Sequence, residues 1–258
     1  MSLPAEDPRA ALLRDEALFD TLAARLALAH EVQDVSSIGM SAPSVAESPP
    51  LVRWWTASSP AVVVGLGLHH RVASIVDTDR CHAAGVAVLA RRAGGGALLL
   101  DEHMLCGAVC VPRADVPDDV TESYRWLGDL LASRLRALGI SEARRIETDE
   151  ARRDVATLKS RKDEVAKILL TTCYGALSPH EVAIGNAKLV GLAQIRRRHA
   201  ALFQFGILLR DQSPLADLLQ VPDEQTRQEL REALRQRTIG GEISLGGLQT
   251  DELLQWPR

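Results

Sequence analysis

Three consecutive glycines, Gly94, Gly95 and Gly96, sit between the strand-like run 86–92 and the apolar run 97–100. Glycine loses more conformational freedom on folding than any other residue. A triplet between two β-prone segments therefore implies that the backbone must take positive φ or touch another group. Without Cβ atoms a ligand can lie against the main chain, and exposed N–H groups in such a turn bind an oxyanion or phosphate. Arg91 and Arg92 stand beside the turn, and a guanidinium grips a carboxylate or phosphate through two parallel bonds. Taken alone the triplet reads equally well as a flexible turn at a sheet edge, because it matches neither a P-loop nor the dinucleotide fingerprint.

The segments around it alternate between the two periodicities. Residues 12–32 carry leucines at three- and four-residue spacing and predict an amphipathic helix. Residues 36–50, rich in Ser, Gly and Pro, read as an exposed loop. Short apolar runs at 51–55, 61–67, 86–92 and 106–112 read as strands, with a short helix ending at Gly85 between the second and third. Thr121 is a candidate N-cap for a helix whose stripe is Tyr124, Leu127, Leu130, Leu131, Leu135 and Leu138, closed by Gly139. Residues 142–168 are densely charged and predict surface helix. Residues 180–198 and 200–210 read as strand material with Gly185-Asn186 as a tight turn, and 223–237 as a last helix before a short Gly-rich tail. This order predicts one mixed domain of helices and strands.

Composition removes several classes. With 46% hydrophobic and 25% charged residues the chain is not a disordered one. A net charge of −4 gives no basic field for nucleic acid. No apolar run approaches about 20 residues, so a membrane span is excluded, and the acidic first twenty residues are unlike a signal peptide. The expectation is a soluble cytoplasmic protein. The four cysteines, Cys81, Cys106, Cys110 and Cys173, form neither a zinc pattern nor a disulfide framework, so no metal is expected.

Two further segments can carry chemistry. The chain has four lysines against 26 arginines, and one of them, Lys188, follows the Gly185-Asn186 turn and precedes an apolar strand. A lysine pinned at a cleft neutralises a carboxylate, a phosphate or the oxyanion of acyl transfer, whereas its spacing alone favours an exposed turn residue. Cys173 opens a loop. A thiolate is a strong nucleophile when a nearby cation lowers its pKa, although a lone cysteine is by default a small buried apolar residue. His69, His70, His82, His103, His180 and His199 sit in loops or polar contexts and read as surface residues.

Together these segments resemble the lipoate–protein ligase A and octanoyltransferase family, related to the catalytic domain of biotin–protein ligases. The first family motif corresponds to Arg91, Arg92, Ala93, Gly94, Gly95, Gly96, Ala97, the apolar run to Leu100, and Asp101. The second corresponds to Ala187, Lys188, Leu189, Val190, Gly191, Leu192, Ala193 and Gln194, then Arg196 to Arg198, and later Gln204, Phe205 and Gly206. The resemblance covers residues 12–240, strongest there within a single domain over 1–258. It implies an α+β fold, a mixed and largely antiparallel sheet flanked by helices as in class II synthetase-like biotin and lipoate ligases, without the C-terminal accessory domain of many ligases.

It also implies transfer of a lipoyl or octanoyl group to the lysine of a lipoyl domain. The acceptors would be 2-oxoacid dehydrogenase acyltransferase subunits or the glycine cleavage H protein, and acyl carrier protein is a candidate donor. The resemblance implies Lys188 and Cys173 as catalytic residues. It implies Arg91, Gly94, Gly95, Gly96, Ala97, Asp101, Gly191, Ala193, Gln194 and Gly206 as substrate-binding. The glycine turn would form one wall of an apolar tunnel and Lys188 would hold the reacting oxygen. One route takes the acyl group from a thioester through a cysteine, and Cys173 lies before Lys188 at the spacing of the transferases. The other activates lipoate with ATP and Mg2+. The chain departs from the family at Ala93, Leu100, Leu192 and Phe205, each apolar where the family is polar. Those departures imply a drier pocket and keep open a non-catalytic acyl-binding member that supports a partner ligase. Biotin ligation ranks last, because the triplet replaces the Gly-Arg-Gly loop of those enzymes.

Overall fold

A computed structural model describes residues 3–35 and 50–240. The strands are β1 (Ala5–Glu6), β2 (Leu51–Ala57), β3 (Ala61–Gly65), β4 (Ala87–Arg91), β5 (Leu98–Leu100), β6 (Met104–Pro112), β7 (Arg144–Arg145), β8 (Val182–Ile184), β9 (Ala187–Arg196) and β10 (Ala200–Leu208). The helices are α1 (Pro8–Val35), α2 (Val72–Ile75), α3 (Thr78–Ala83), α4 (Arg125–Ala137), α5 (Thr148–Arg161), α6 (Glu164–Leu169) and α7 (Glu224–Arg237). Short 3-10 turns join several of them.

The strands form two sheets. The larger has the order β1-β2-β6-β10-β9-β8-β7 and is antiparallel except for the β1–β2 edge pair. The smaller has the order β4-β3-β5, with β3 parallel to β4 and antiparallel to β5. This is the expected α+β class with a largely antiparallel mixed sheet.

Side chains on a strand alternate between faces, and β6 and β10 use both. Leu105, Val109, Phe203 and Phe205 pack with Leu127, Leu131 and Leu135 of α4. On the opposite face Ala108, Cys110 and Leu202 pack under Phe19 and Leu22 of α1, while Met104, Cys106 and Leu208 meet Ala61, Val63, Leu98 and Leu100 of the small sheet. That face is therefore shared by two covers, and a seam runs between them. The far side of the small sheet, through Val62 and Val64, is closed by residues of α5, α6 and α7. Every residue of β6 and β10 is buried, which explains why both read as largely apolar runs, with Gln204 the polar residue in β10.

Aspartates start three of the helices. Asp77, Asp163 and Asp223 each accept a backbone N–H in the first turn of α3, α6 and α7. Thr121 makes no such bond; Asp119 accepts the Glu122 N–H at 2.8 Å, and a 3-10 turn precedes α4. The charged stretch 142–168 is not one surface helix but β7 followed by α5 and α6, broken where Lys162 takes a left-handed φ of 57°. The loop expected at 36–50 lies, apart from Pro50, outside the described residues, as does the tail after Gly240. Among the described residues no helix is long and apolar enough to cross a membrane.

The open edge of β5 is closed by a side chain. The Gln212 amide accepts the Leu99 N–H at 2.9 Å and donates to the Leu99 carbonyl at 3.0 Å, as a paired strand would. Gln212→Ala leaves both buried backbone groups without partners and is expected to lower stability by about 1–3 kcal/mol. Urea unfolding checks this against Gln225→Ala on the exposed face of α7, which should leave the midpoint unmoved.

Candidate active site

The seam between α1 and the small sheet opens into a narrow apolar slot. Its walls include Leu12 of α1, Leu98 and Leu100 of β5, Met104 and Cys106 of β6, and Gly206 of β10. A second, wider cleft of about 1160 Å³ opens outside it, between the glycine loop, α5 and residues 176–181. Cys173 and Leu192 line both.

The glycine loop is tied directly to Cys173. The Ala97 N–H donates to the Thr171 carbonyl and the Cys173 N–H donates to the Ala97 carbonyl, both at 2.8 Å. A Cβ on Gly96 would fall 2.4 Å from the Thr171 oxygen and 2.7 Å from the Cys173 nitrogen, so only glycine permits the two strands of chain to meet. Gly95 has φ of +107°, and a Cβ there would lie 2.8 Å from a guanidinium nitrogen of Arg91 and 3.7 Å from the Cys173 sulfur. Arg91, the last residue of β4, donates to the Gly94 carbonyl at 2.8 Å and lines the slot. The guanidinium and the thiol thus flank one glycine. Burial pushes the Cys173 thiol above its ordinary pKa. The charges of Arg91 and Lys188 pull it down, and that of Glu181 pushes it up, but burial prevails.

Lys188 is fully buried, not the exposed turn lysine its spacing favoured. Its Nζ donates to the Cys173 carbonyl at 2.8 Å and the Ser178 hydroxyl at 3.3 Å, and contacts Glu181 Oε2 at 2.5 Å. Neither cavity is lined by it. The ammonium therefore does not face the glycine triplet across the slot; it bonds the backbone carbonyl of Cys173.

The other named residues divide. Gly191 and Gly206 sit opposite each other on β9 and β10 and line the slot, whereas Gly95 and Gly96 line the outer cleft. Gly94 and Ala97 hold the glycine loop through the contacts above. Ala193 pairs with Gln204 in the sheet and lines neither cavity. Gln194 accepts from Ser123 and Arg196 and donates to the Val120 carbonyl, which ties down the 118–123 loop away from the slot. Asp101 accepts from Arg210 at 2.6 Å and from the His103 N–H at 2.9 Å, and shapes the β5–β6 turn. His180 is not a surface residue: it is fully buried, with φ of 66° and Arg145 2.8 Å from its Nδ1.

Sequence reasoning missed four contributors. Tyr174 donates its hydroxyl to the Gly206 carbonyl at 2.7 Å and accepts the Gly191 N–H at 3.2 Å, bridging β9 and β10 at the slot wall. Asp15, 1% exposed, pairs with Arg53 and accepts from Gln204 at 3.0 Å; it lies on the apolar stripe of α1 between Leu12 and Phe19, a position that signals a buried acid. Gln204 lies in the quoted second motif, but no role was attached to it. Glu181, 3% exposed, accepts the Leu192 N–H at 2.8 Å, and its one signal was an acid abutting an apolar strand.

Residues 30–239 match the family described as the lipoyl protein ligase A/B catalytic domain. The chain belongs to this family. It is similar to the octanoyltransferase LipM of Kyrpidia tusciae, 30% identical over 203 residues that make up 78% of this chain and 69% of that protein. The octanoyltransferase LipM of Lysinibacillus sphaericus is 28% identical over 194 residues, 74% of this chain and 66% of that protein. The chain thus spans about two thirds of the length of these curated relatives. Its fold is shared with a solved structure from an archaeal lipoylation system, a bipartite lipoate protein ligase and its E2 lipoyl domain from Thermoplasma acidophilum. That likeness has a TM-score of 0.60 and 21% identity, and covers 90% of this chain and 76% of that chain.

Among the cysteines of this lipoyl protein ligase A/B family member, only Cys173 is part-exposed. Its raised pKa predicts that alkylation by iodoacetamide climbs about tenfold per pH unit from pH 7 to pH 9, because only the thiolate reacts. Arg91→Met removes a charge that pulls the pKa down and should move the rise to higher pH. An unchanged profile would show that the guanidinium does not act on the thiol.

Proposed function

We propose that this protein transfers an octanoyl or lipoyl group from a thioester to the lysine of a lipoyl domain, through an acyl thioester on Cys173. The observation that carries the reading is that one cysteine, Cys173, lines two cavities, an apolar slot and an open cleft. The slot takes the alkyl tail and excludes water from the thioester, while the cleft admits first the donor and then the acceptor amine.

In the first half-reaction the Cys173 thiolate attacks the donor carbonyl, a new C–S bond forms, and the donor's own C–S bond breaks to release its thiolate. Arg91 lies beside the sulfur and is placed to stabilise both the thiolate and the oxyanion of that step. Lys188 acts through the Cys173 carbonyl, which makes it a positioning residue. In the second half-reaction the lysine amine displaces Cys173 and forms the amide. The apolar residues Leu100 and Leu192 at positions where the family carries polar groups are consistent with a dry slot that holds a hydrocarbon chain.

Relatives named octanoyltransferase support the thioester route, and the family neighbour solved with its E2 lipoyl domain supports lipoyl domains as acceptors. We extend this to 2-oxoacid dehydrogenase acyltransferase subunits and the glycine cleavage H protein as acceptors, to acyl carrier protein as donor, and to the cytoplasm as the compartment. The ligase route would need ATP and Mg2+. Among the described residues Glu181 is the carboxylate that lines the outer cleft, and Mg2+ on a nucleotide is held by one or two carboxylates with phosphates and water completing its shell.

Incubation with octanoyl thioester is expected to give one octanoyl adduct by intact mass, absent in Cys173→Ala, and transfer of the adduct to an added lipoyl domain. Modification of the lipoyl domain that needs ATP and proceeds without an adduct would replace this route by the ligase one. Neither adduct nor modification would leave an acyl-binding protein.

A further inference from the structure

We propose that His180 is a positioning residue for acyl transfer: as a neutral imidazole wedged between Arg145 and Glu122 it holds the wall of the outer cleft in place, and a second proton on its ring releases that wall. This deepens the acyl-transfer reading above and rests on it.

Of residues 176–181 only His180 is missing from the cleft lining. Its ring is fully buried, against Arg145 of β7 and Glu122 of the turn before α4. The chain bends there, with φ of 66°. A residue other than glycine keeps such a left-handed backbone only where its surroundings impose it. The His180 N–H donates to the Ile146 carbonyl at 2.9 Å, and the Ile146 N–H donates to the Glu181 carbonyl at 2.8 Å. The His180 carbonyl rests on Gly128 of α4, with no room for a Cβ between them. On either side of the bend, Ser178 and Glu181 reach Lys188 Nζ. The imidazole thus anchors, from behind, the two side chains that meet the ammonium next to Cys173.

The ring's neighbours fix its protonation. A guanidinium donates hydrogen bonds and accepts none. Arg145 Nη1 lies 2.8 Å from Nδ1, so Nδ1 presents its lone pair and the proton sits on Nε2. Nε2 is buried without a hydrogen-bond partner, 3.5 Å from Glu122 Oε1. A second proton has to go to Nδ1, where it meets the guanidinium. Arg145 is held in place by Asp129 at 2.7 Å and Glu147 at 2.8 Å. Glu181, next in the chain, is turned to Lys188. Burial, then the charges of Arg145 and of Arg125 on α4, push the His180 pKa below its ordinary value, and the opposing pull of Glu122 does not offset them. Protonation therefore sets two cations in contact with no acceptor between them, and the ring has to leave its place. The bend at residue 180 and the contacts of Ser178 and Glu181 with Lys188 go with it.

The test compares the unaltered protein with His180→Asn from about pH 5 to pH 8. Asparagine tolerates left-handed backbone better than most residues and offers Arg145 an amide oxygen, but it has no proton to gain. Ionisation of the Cys173 thiol and of the acceptor lysine is common to both proteins and cancels in the ratio of their rates of octanoyl transfer to a lipoyl domain. That ratio, unaltered protein over variant, should be level above about pH 6.5 and fall below it, approaching about tenfold per pH unit. The fall should coincide with the His180 titration followed by ring-nitrogen NMR on the same protein, and the neutral ring should carry its proton on Nε2. His180→Gln also keeps an acceptor without a titrating group. It guards against an Asn variant that does not fold and should give the same fall.

A ratio that stays level through the NMR titration, or a neutral ring protonated on Nδ1, would overturn the proposal. If the unaltered protein transfers no octanoyl group even at neutral pH, the acyl-transfer reading itself fails, and this proposal with it.

Discussion

A fully buried ammonium dictates the shape of the site. Taking such a charge out of water costs several kcal/mol unless it is paired and hydrogen-bonded, and removal of one partner from a buried pair costs about 3–5 kcal/mol. Lys188 meets that demand with one carboxylate, one carbonyl and one hydroxyl, all drawn from residues 173–181. The segment has to curl round the ammonium, and Cys173 is fixed by the carbonyl it contributes. The same curl brings Glu181 to the outer cleft and sets Cys173 in the lining of both cavities. One ion pair thereby sets the positions of Cys173 and of the carboxylate beside it.

The slot depends on a different economy, the alternation of side chains along β6 and β10. On one face of these strands the even-numbered residues divide their contacts between α1 and the small sheet. The two covers meet over that face, and Gly206 opposite Gly191 leaves the wall between them without side chains. Tyr174 then spans the seam and ties both glycines through its hydroxyl. The apolar tail site is thus a consequence of packing, whereas the reactive end is a consequence of charge pairing, and Cys173 is where the two meet.

Much of this was legible in the sequence where burial is two-sided or a turn requires glycine. The strands β6 and β10 stand out because no residue in them faces water, and Gly95 and Gly96 because their places admit no Cβ. Arg91, Cys173, Gly191 and Gly206 line the slot. What failed to show depends on contacts distant in sequence. The two-residue edges β1 and β7, Ala-Glu and Arg-Arg, are short pairs recruited by the sheet. His180 looks like loop but is walled in by α4, where a Cβ on Gly128 would meet its carbonyl oxygen at 1.9 Å. Asp101 and Gln194 belong to the matched motifs, yet their side chains are occupied in turn and loop contacts away from the slot. Lys188 follows a tight turn, which favours exposure, and only the upstream acceptors reverse that.

The raised thiol pKa fits a protein whose nucleophile is needed only when substrate is present. A thiolate kept permanently at neutral pH would be open to oxidation in a part-exposed position. Here burial holds the proton on sulfur, and Arg91 offsets only part of that effect. An acyl donor that brings its carbonyl against the guanidinium adds developing negative charge where the cation already lies, which favours thiolate attack at that moment and not before. In the proposed transfer the acylated sulfur would carry no charge and the tail would occupy the slot. Thioester to amide is the downhill direction, so this order needs no further energy source; it needs only that water be kept out of the slot and that an amine, once in the cleft, be relieved of its proton.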